Sequence, residues 1–95
     1  MKKEELYQWV REELVFKRLK LADMGVALDE IQSETPLFDD SGLDLDSIDG
    51  LELAVGIEQK FGIKIGKLTE DIARNRFKNL FSITDFIIEL QQVTA

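Results

Sequence analysis

Apolar residues in this chain return every three or four positions: Leu6, Val10 and Leu14, then Leu53, Ile57 and Phe61, then Phe86, Ile87 and Leu90. That spacing stacks side chains on one face of a helix and leaves no convincing strand. The first block runs from Lys3 to about Lys20, with Glu4 and Glu5 at its start and Lys17, Arg18 and Lys20 at its end, as the helix dipole favours. Residues 21–46 hold Gly25, Gly42 and the single proline, Pro36, without a sustained period, and are expected to form a long ordered loop anchored by Ile31, Leu37 and Phe38. A second helix is expected from Asp46-Ser47 to Phe61, stopping at Gly62. Ile63 and Ile65 follow in an extended link. A short third helix is expected from Thr69, a candidate N-cap, to about Lys78. A fourth is expected to open on the capping-box spacing of Ser82-Ile83-Thr84-Asp85. The expected architecture is therefore all-α, three longer helices and one short one. Ninety-five residues suffice for one domain, 1–95, around one modest core.

Two absences narrow the chemistry. With no cysteine and no histidine, the chain has no thiol nucleophile, disulfide or imidazole base, and a catalytic role is not expected. No metal site is expected either. A calcium loop begun at Asp44 would place Asp49 where glycine is needed and Val55 at the twelfth position, where a bidentate acid belongs. Arg74, Arg76 and Lys78 read as a solvated helix face, not a nucleic-acid site. Trp9 and Tyr7 read as packing residues. No run approaches the ~18 apolar residues of a membrane span, and the charged start is unlike a signal segment, so a cytoplasmic location is expected.

The net charge of −7 is concentrated: residues 1–20 sum to +2, residues 21–60 to −10 and residues 61–95 to +1. Such a middle repels phosphates and anionic lipid and attracts basic protein surfaces.

Within that acidic middle lies Leu37-Phe38-Asp39-Asp40-Ser41-Gly42-Leu43-Asp44-Leu45-Asp46-Ser47-Ile48-Asp49-Gly50-Leu51-Glu52-Leu53. An Asp-Ser pair at a helix start, an aliphatic residue after it and an acidic, apolar helix beyond resemble the attachment region of acyl carrier proteins. The likeness continues through Phe61-Gly62-Ile63-Lys64-Ile65 and more loosely through Ser82 to Phe86. It implies a four-helix bundle of acyl carrier type, with Ser47 as the modified serine and Asp46 as its motif partner. It also implies a 4'-phosphopantetheine arm donated by coenzyme A, which brings the thiol the chain lacks. Fatty-acid, polyketide or related lipid biosynthesis would be the setting. The implied partners are a phosphopantetheinyl transferase and acyl-transferring or acyl-modifying enzymes with basic docking surfaces, and the chain itself would be a monomer.

Standing by itself, Asp-Ser reads as an ordinary helix start, with serine as the N-cap. Unpaired N–H groups at that point would also favour a nearby phosphodiester. The second helix has two apolar stripes, Leu53-Ile57-Phe61 with Ala54, and Ile48-Leu51-Val55. The second stripe is joined by Glu58 and bordered by Glu52, so burying it would strand a carboxylate. The first stripe is expected inside. The second, with Asp46, Asp49, Glu52 and Glu58, is expected to meet partners. An aminoacyl or peptidyl carrier, or an unmodified acidic helical adaptor, fits the same residues.

Overall fold

The computed structural model describes residues 2–66, 72 and 75–93. The chain is all-α, with no strand among the described residues. The first helix, α1, spans Lys3–Trp9 and continues without a break as a π-helical segment over Val10–Lys17. Its wider turns are carried by bonds such as Arg18 N–H to Glu13 O at 3.0 Å, a five-residue step. Leu6, Val10 and Leu14 are buried as their spacing predicts. Val15 is buried beside them. The helical path ends before Lys20, whose φ of 54° is left-handed.

The segment from Leu21 to Asp46 is more regular than its composition suggests. Two 3-10 turns, Leu21–Met24 and Leu28–Glu30, lie within it. Arg11 fastens the second turn to the first helix, donating from Nε to Ile31 O at 2.8 Å and from Nη2 to Leu28 O at 3.0 Å. Ile31 and Leu37 are fully buried anchors, as expected, while Phe38 is half-buried against the core.

The second helix, α2, spans Ser47–Phe61. Gly62 closes it: at φ 65° the glycine takes the left-handed conformation a Cβ would penalise, and its N–H bonds Glu58 O at 2.9 Å. Leu53, Ala54 and Ile57 are buried, whereas Ile48 and Leu51 are 71% and 55% exposed. Leu53, Ala54 and Ile57 thus lie inside and Ile48 and Leu51 outside, as expected, whereas Val55, expected outside, and Phe61, expected inside, are both half-buried, Phe61 against Trp9.

The short helix expected between Thr69 and Lys78 falls largely outside the described residues, including Thr69 and Arg74. What is described there is helical at Ile72 and Asn75, with Ile72 O accepting from Arg76 N–H at 2.7 Å and Phe77 N–H at 3.2 Å, and Phe77 is buried. Three helices, not the expected four, are thus described. Arg76 pairs with Glu89 and lies 5.0 Å over the Phe86 ring, so it is tied to the bundle.

The last helix, α3, spans Leu80–Val93 and begins earlier than the Ser82 spacing predicts. The cap is Asn79. Its Oδ1 accepts from Ser82 N–H at 2.9 Å and from Ser82 Oγ at 3.1 Å, so Ser82 sits in the first turn as a donor. Asp85 instead meets Lys3 at 3.4 Å. Ile83 and Ile87 are buried, and Phe86 and Leu90 pack half-buried at the margin. Thr84, also buried, satisfies its hydroxyl on Leu80 O at 2.8 Å.

Candidate functional site

The start of α2 is positioned by the loop before it. Leu37 and Leu45 are both buried, and Leu45 N–H bonds Leu37 O at 2.8 Å, so the ends of the loop are pinned together. Leu37 N–H in turn reaches Lys78 O at 3.0 Å, tying the loop to the segment ahead of α3. Between the anchors, Asp39 organises the turn. Its carbonyl accepts from Gly42 N–H at 2.9 Å and Asp44 N–H at 3.1 Å, and its Oδ1 accepts from Ser41 N–H at 3.2 Å. The Ser41 bond holds the Asp39 carboxyl below its usual range, while the shared hydrogen bond with Asp39 and the charge of that neighbour push Asp40 up.

Gly42 is the tightest point of this loop. A Cβ there would stand 1.9 Å from Pro36 O and 2.8 Å from Pro36 C. The obstacle is backbone, and that carbonyl already accepts from Leu43 N–H at 3.0 Å, so it cannot swing aside without losing the bond. Gly42→Ala is expected to destabilise the fold by about 1 to 3 kcal/mol, the usual range for overpacking. Chemical denaturation measures it, and an unchanged midpoint would show that the loop yields freely.

Ser47 occupies the first helical position and is exposed. It is not the cap. Asp46 caps the helix, its Oδ1 accepting from Asp49 N–H at 3.0 Å, while Asp49 Oδ2 accepts from Asp46 N–H at 3.1 Å. This is a reciprocal capping box with aspartate in both places. The expectation of serine as cap is therefore corrected, and the consequence is chemical: the Ser47 hydroxyl has no intramolecular cap bond to hold it down. Replacing Asp49 by Ala should cost about 0.5 to 1.5 kcal/mol through the lost bond from Asp46 N–H, readable in a thermal melt. Stability equal to the native protein would mean that the box contributes nothing.

The cap also revises the electrostatics at this point. A helix N-terminus carries roughly half a positive charge, whereas Asp46 and Asp49 bring two carboxylates to it. The local field does not draw a phosphate. The geometry presents a free hydroxyl beside two carboxylates.

A scan against known protein families matches residues 20–68 to the family described as the phosphopantetheine attachment site, which covers just over half of the chain. The chain belongs to this family. It is a phosphopantetheine carrier protein, built to bear a 4'-phosphopantetheine group and to meet a phosphopantetheinyl transferase and the enzymes that handle the carried group. No curated protein matches it.

In this carrier, the residues singled out in the sequence gather on one side of α2, but several are already engaged. Ile48 and Leu51 are exposed. Asp46 and Asp49 are joined in the capping box. Glu52 pairs with Arg18, its Oε2 3.3 Å from Nε. Glu58 accepts from Ile65 N–H at 2.8 Å and Gly66 N–H at 3.3 Å, which fixes the link that follows α2. The Asp46-x-x-Asp49 spacing could have disclosed the box. Nothing local announces Arg18.

Ser47 has the chemistry such an arm would need. An exposed hydroxyl at the first turn, freed of capping by its neighbour, can be reached by an enzyme from outside. When bound, the arm would supply a thiol, which the chain itself lacks. The chain's own residues hold the serine outward and offer a surface beside it. Among the described residues, no helix is long and apolar enough to cross a membrane.

Proposed function

We propose that Ser47 is the attachment residue and that the chain is an acyl carrier acting as one domain, residues 1–95, as a monomer in the cytoplasm. The observation that supports Ser47 is its free hydroxyl at the first turn of α2, with Asp46 taking the cap. In the transfer, Ser47 Oγ bonds to the phosphorus that carries the pantetheine arm of coenzyme A. The P–O bond to the adenosine bisphosphate breaks, and the serine proton passes to a base on the transferase.

The chain takes no catalytic part beyond presenting the hydroxyl, and partner enzymes do the chemistry on the carried thioester. Ile48, Leu51 and Val55 form the apolar strip they cover, and Asp46, Asp49, Glu52 and Glu58 set the charge around it. The acidic character of α2 favours an acyl cargo, in fatty-acid, polyketide or related lipid biosynthesis, over an aminoacyl or peptidyl one. Incubation with coenzyme A and a broad-specificity transferase tests the reading by intact mass. A carrier gains one arm per chain, whereas an unmodified adaptor gains none. Loading the product separately with acyltransferase and aminoacyl-adenylating enzymes then separates acyl from aminoacyl cargo.

A further inference from the structure

The outer side of α2 carries more than carboxylates and an apolar strip. Glu52, Gly56 and Gln59 lie four and three residues apart, which lines them up along one edge of the helix. Arg18 is laid along that line. Its Nε stands 3.3 Å from Glu52 Oε2 and donates to the Glu52 carbonyl at 3.0 Å, while Nη2 reaches Gln59 Oε1 at 3.4 Å. Gly56 makes the approach possible, because a Cβ there would meet Leu14 Cδ1 at 2.6 Å, Arg18 Cδ at 2.9 Å and Arg18 Nε at 3.0 Å.

The Arg18 side chain is 30% exposed, against 66% for its neighbour Lys17, which pairs within its own helix with Glu13. The bond to the Glu52 carbonyl does not depend on the Glu52 carboxylate. A cation is thus built into this face whatever Glu52 does. Glu52 also neighbours Leu51 and, one turn on, Val55, so the guanidinium borders the apolar strip.

We propose that Arg18 determines which partner surfaces this carrier accepts, by neutralising Glu52 and standing as a fixed positive charge beside the Ile48-Leu51-Val55 strip. Unbroken basic surfaces are disfavoured there, because a lysine or arginine approaching Glu52 meets a like charge already in place. The inference rests on α2 being the docking face. Its effect lies in recognition, since a partly exposed ion pair contributes little to folding.

The test uses the full chain and a broad-specificity phosphopantetheinyl transferase whose docking surface is basic, with coenzyme A as co-substrate. Arg18→Met keeps the aliphatic stem over Gly56 and removes the charge. It should lower the transferase's KM for the carrier about two- to fivefold at low ionic strength, leave kcat unchanged and steepen the rise of KM with salt. Glu52→Gln should then raise KM by a larger factor in the Arg18→Met background than in the native one. Arg18→Gln repeats the measurement should the Met variant fold poorly, with thermal melts fixing the folded fraction. An unchanged or raised KM in the Arg18 variants, or strictly additive effects of the Arg18 and Glu52 substitutions, overturns the role of Arg18. Leu51→Asp serves as the control for the face itself: if it leaves KM unmoved, α2 is not the docking surface and the underlying reading fails first.

Discussion

Ser47→Ala is expected to end phosphopantetheine attachment completely, with the intact mass of the variant unchanged after incubation with coenzyme A and transferase. The effect is all-or-none because the substitution deletes the one atom that forms the new bond. The other serines are placed differently. Ser41 is held in the Asp39 turn by its N–H, Ser33 is half-buried with its carbonyl accepting from Phe81 N–H, and the Ser82 hydroxyl donates to Asn79. Stability should hardly move. Because Asp46 carries the cap, the variant loses an exposed hydroxyl with no structural bond, and a surface change of that kind falls within about 0.5 kcal/mol. A mass gain that survives in the variant would place attachment elsewhere.

The largest loss of stability is expected from Ile57→Ala, about 2 to 5 kcal/mol in denaturant unfolding. Ile57 is 0% exposed in the middle of α2, so truncation removes buried methyl groups and leaves a cavity that close-packed neighbours fill only in part. Against the ~5 to 15 kcal/mol that usually holds a domain together, that is a serious fraction. Leu51→Ala, at 55% exposure on the opposite stripe, should change the midpoint far less, and Val55→Ala should fall between. Their effect should appear instead as slower transfer to partner enzymes. Equal destabilisation by the Leu51 and Ile57 substitutions would show that the two stripes are not inner and outer.

The charge of −10 over residues 21–60 is a property of composition, yet much of what lies on α2 is spoken for. Charge reversal at Asp49 would break the capping box as well as alter the surface, and reversal at Glu58 would release the Ile65 and Gly66 N–H groups. Slower transfer in either variant would mix docking with folding. Glu52 is cleaner, because its side chain makes an ion pair and bears no backbone N–H.

The parts of the fold legible in the sequence obey rules that act within one or two turns. Leu6, Val10 and Leu14 at four-residue steps require a buried helical face, Gly62 after Phe61 supplies the left-handed stop, and the Leu53-Ile57 stripe, free of charge, belongs inside. The resemblance to carrier proteins likewise rests on a continuous stretch, Leu37 to Leu53 around Asp46-Ser47, and is legible in the sequence. Glu58 keeps the Ile48-Leu51 stripe outside, and its carboxylate serves the link that follows α2. The start of α3 could not be decided locally, since Asn79 and Ser82 are both competent caps. The choice falls to a register in which Leu80 and Ile83 are buried. Only the tertiary structure set Gly42 against Pro36, laid Arg18 over Gly56 and fastened Arg11 to the turn at Leu28 and Ile31. Arg18 and Glu52 stand 34 positions apart, and periodicity carries no information over such a distance. That pairing exists because Leu14 packs close over Gly56 and brings two helices together, and whatever charges flank the contact must then meet.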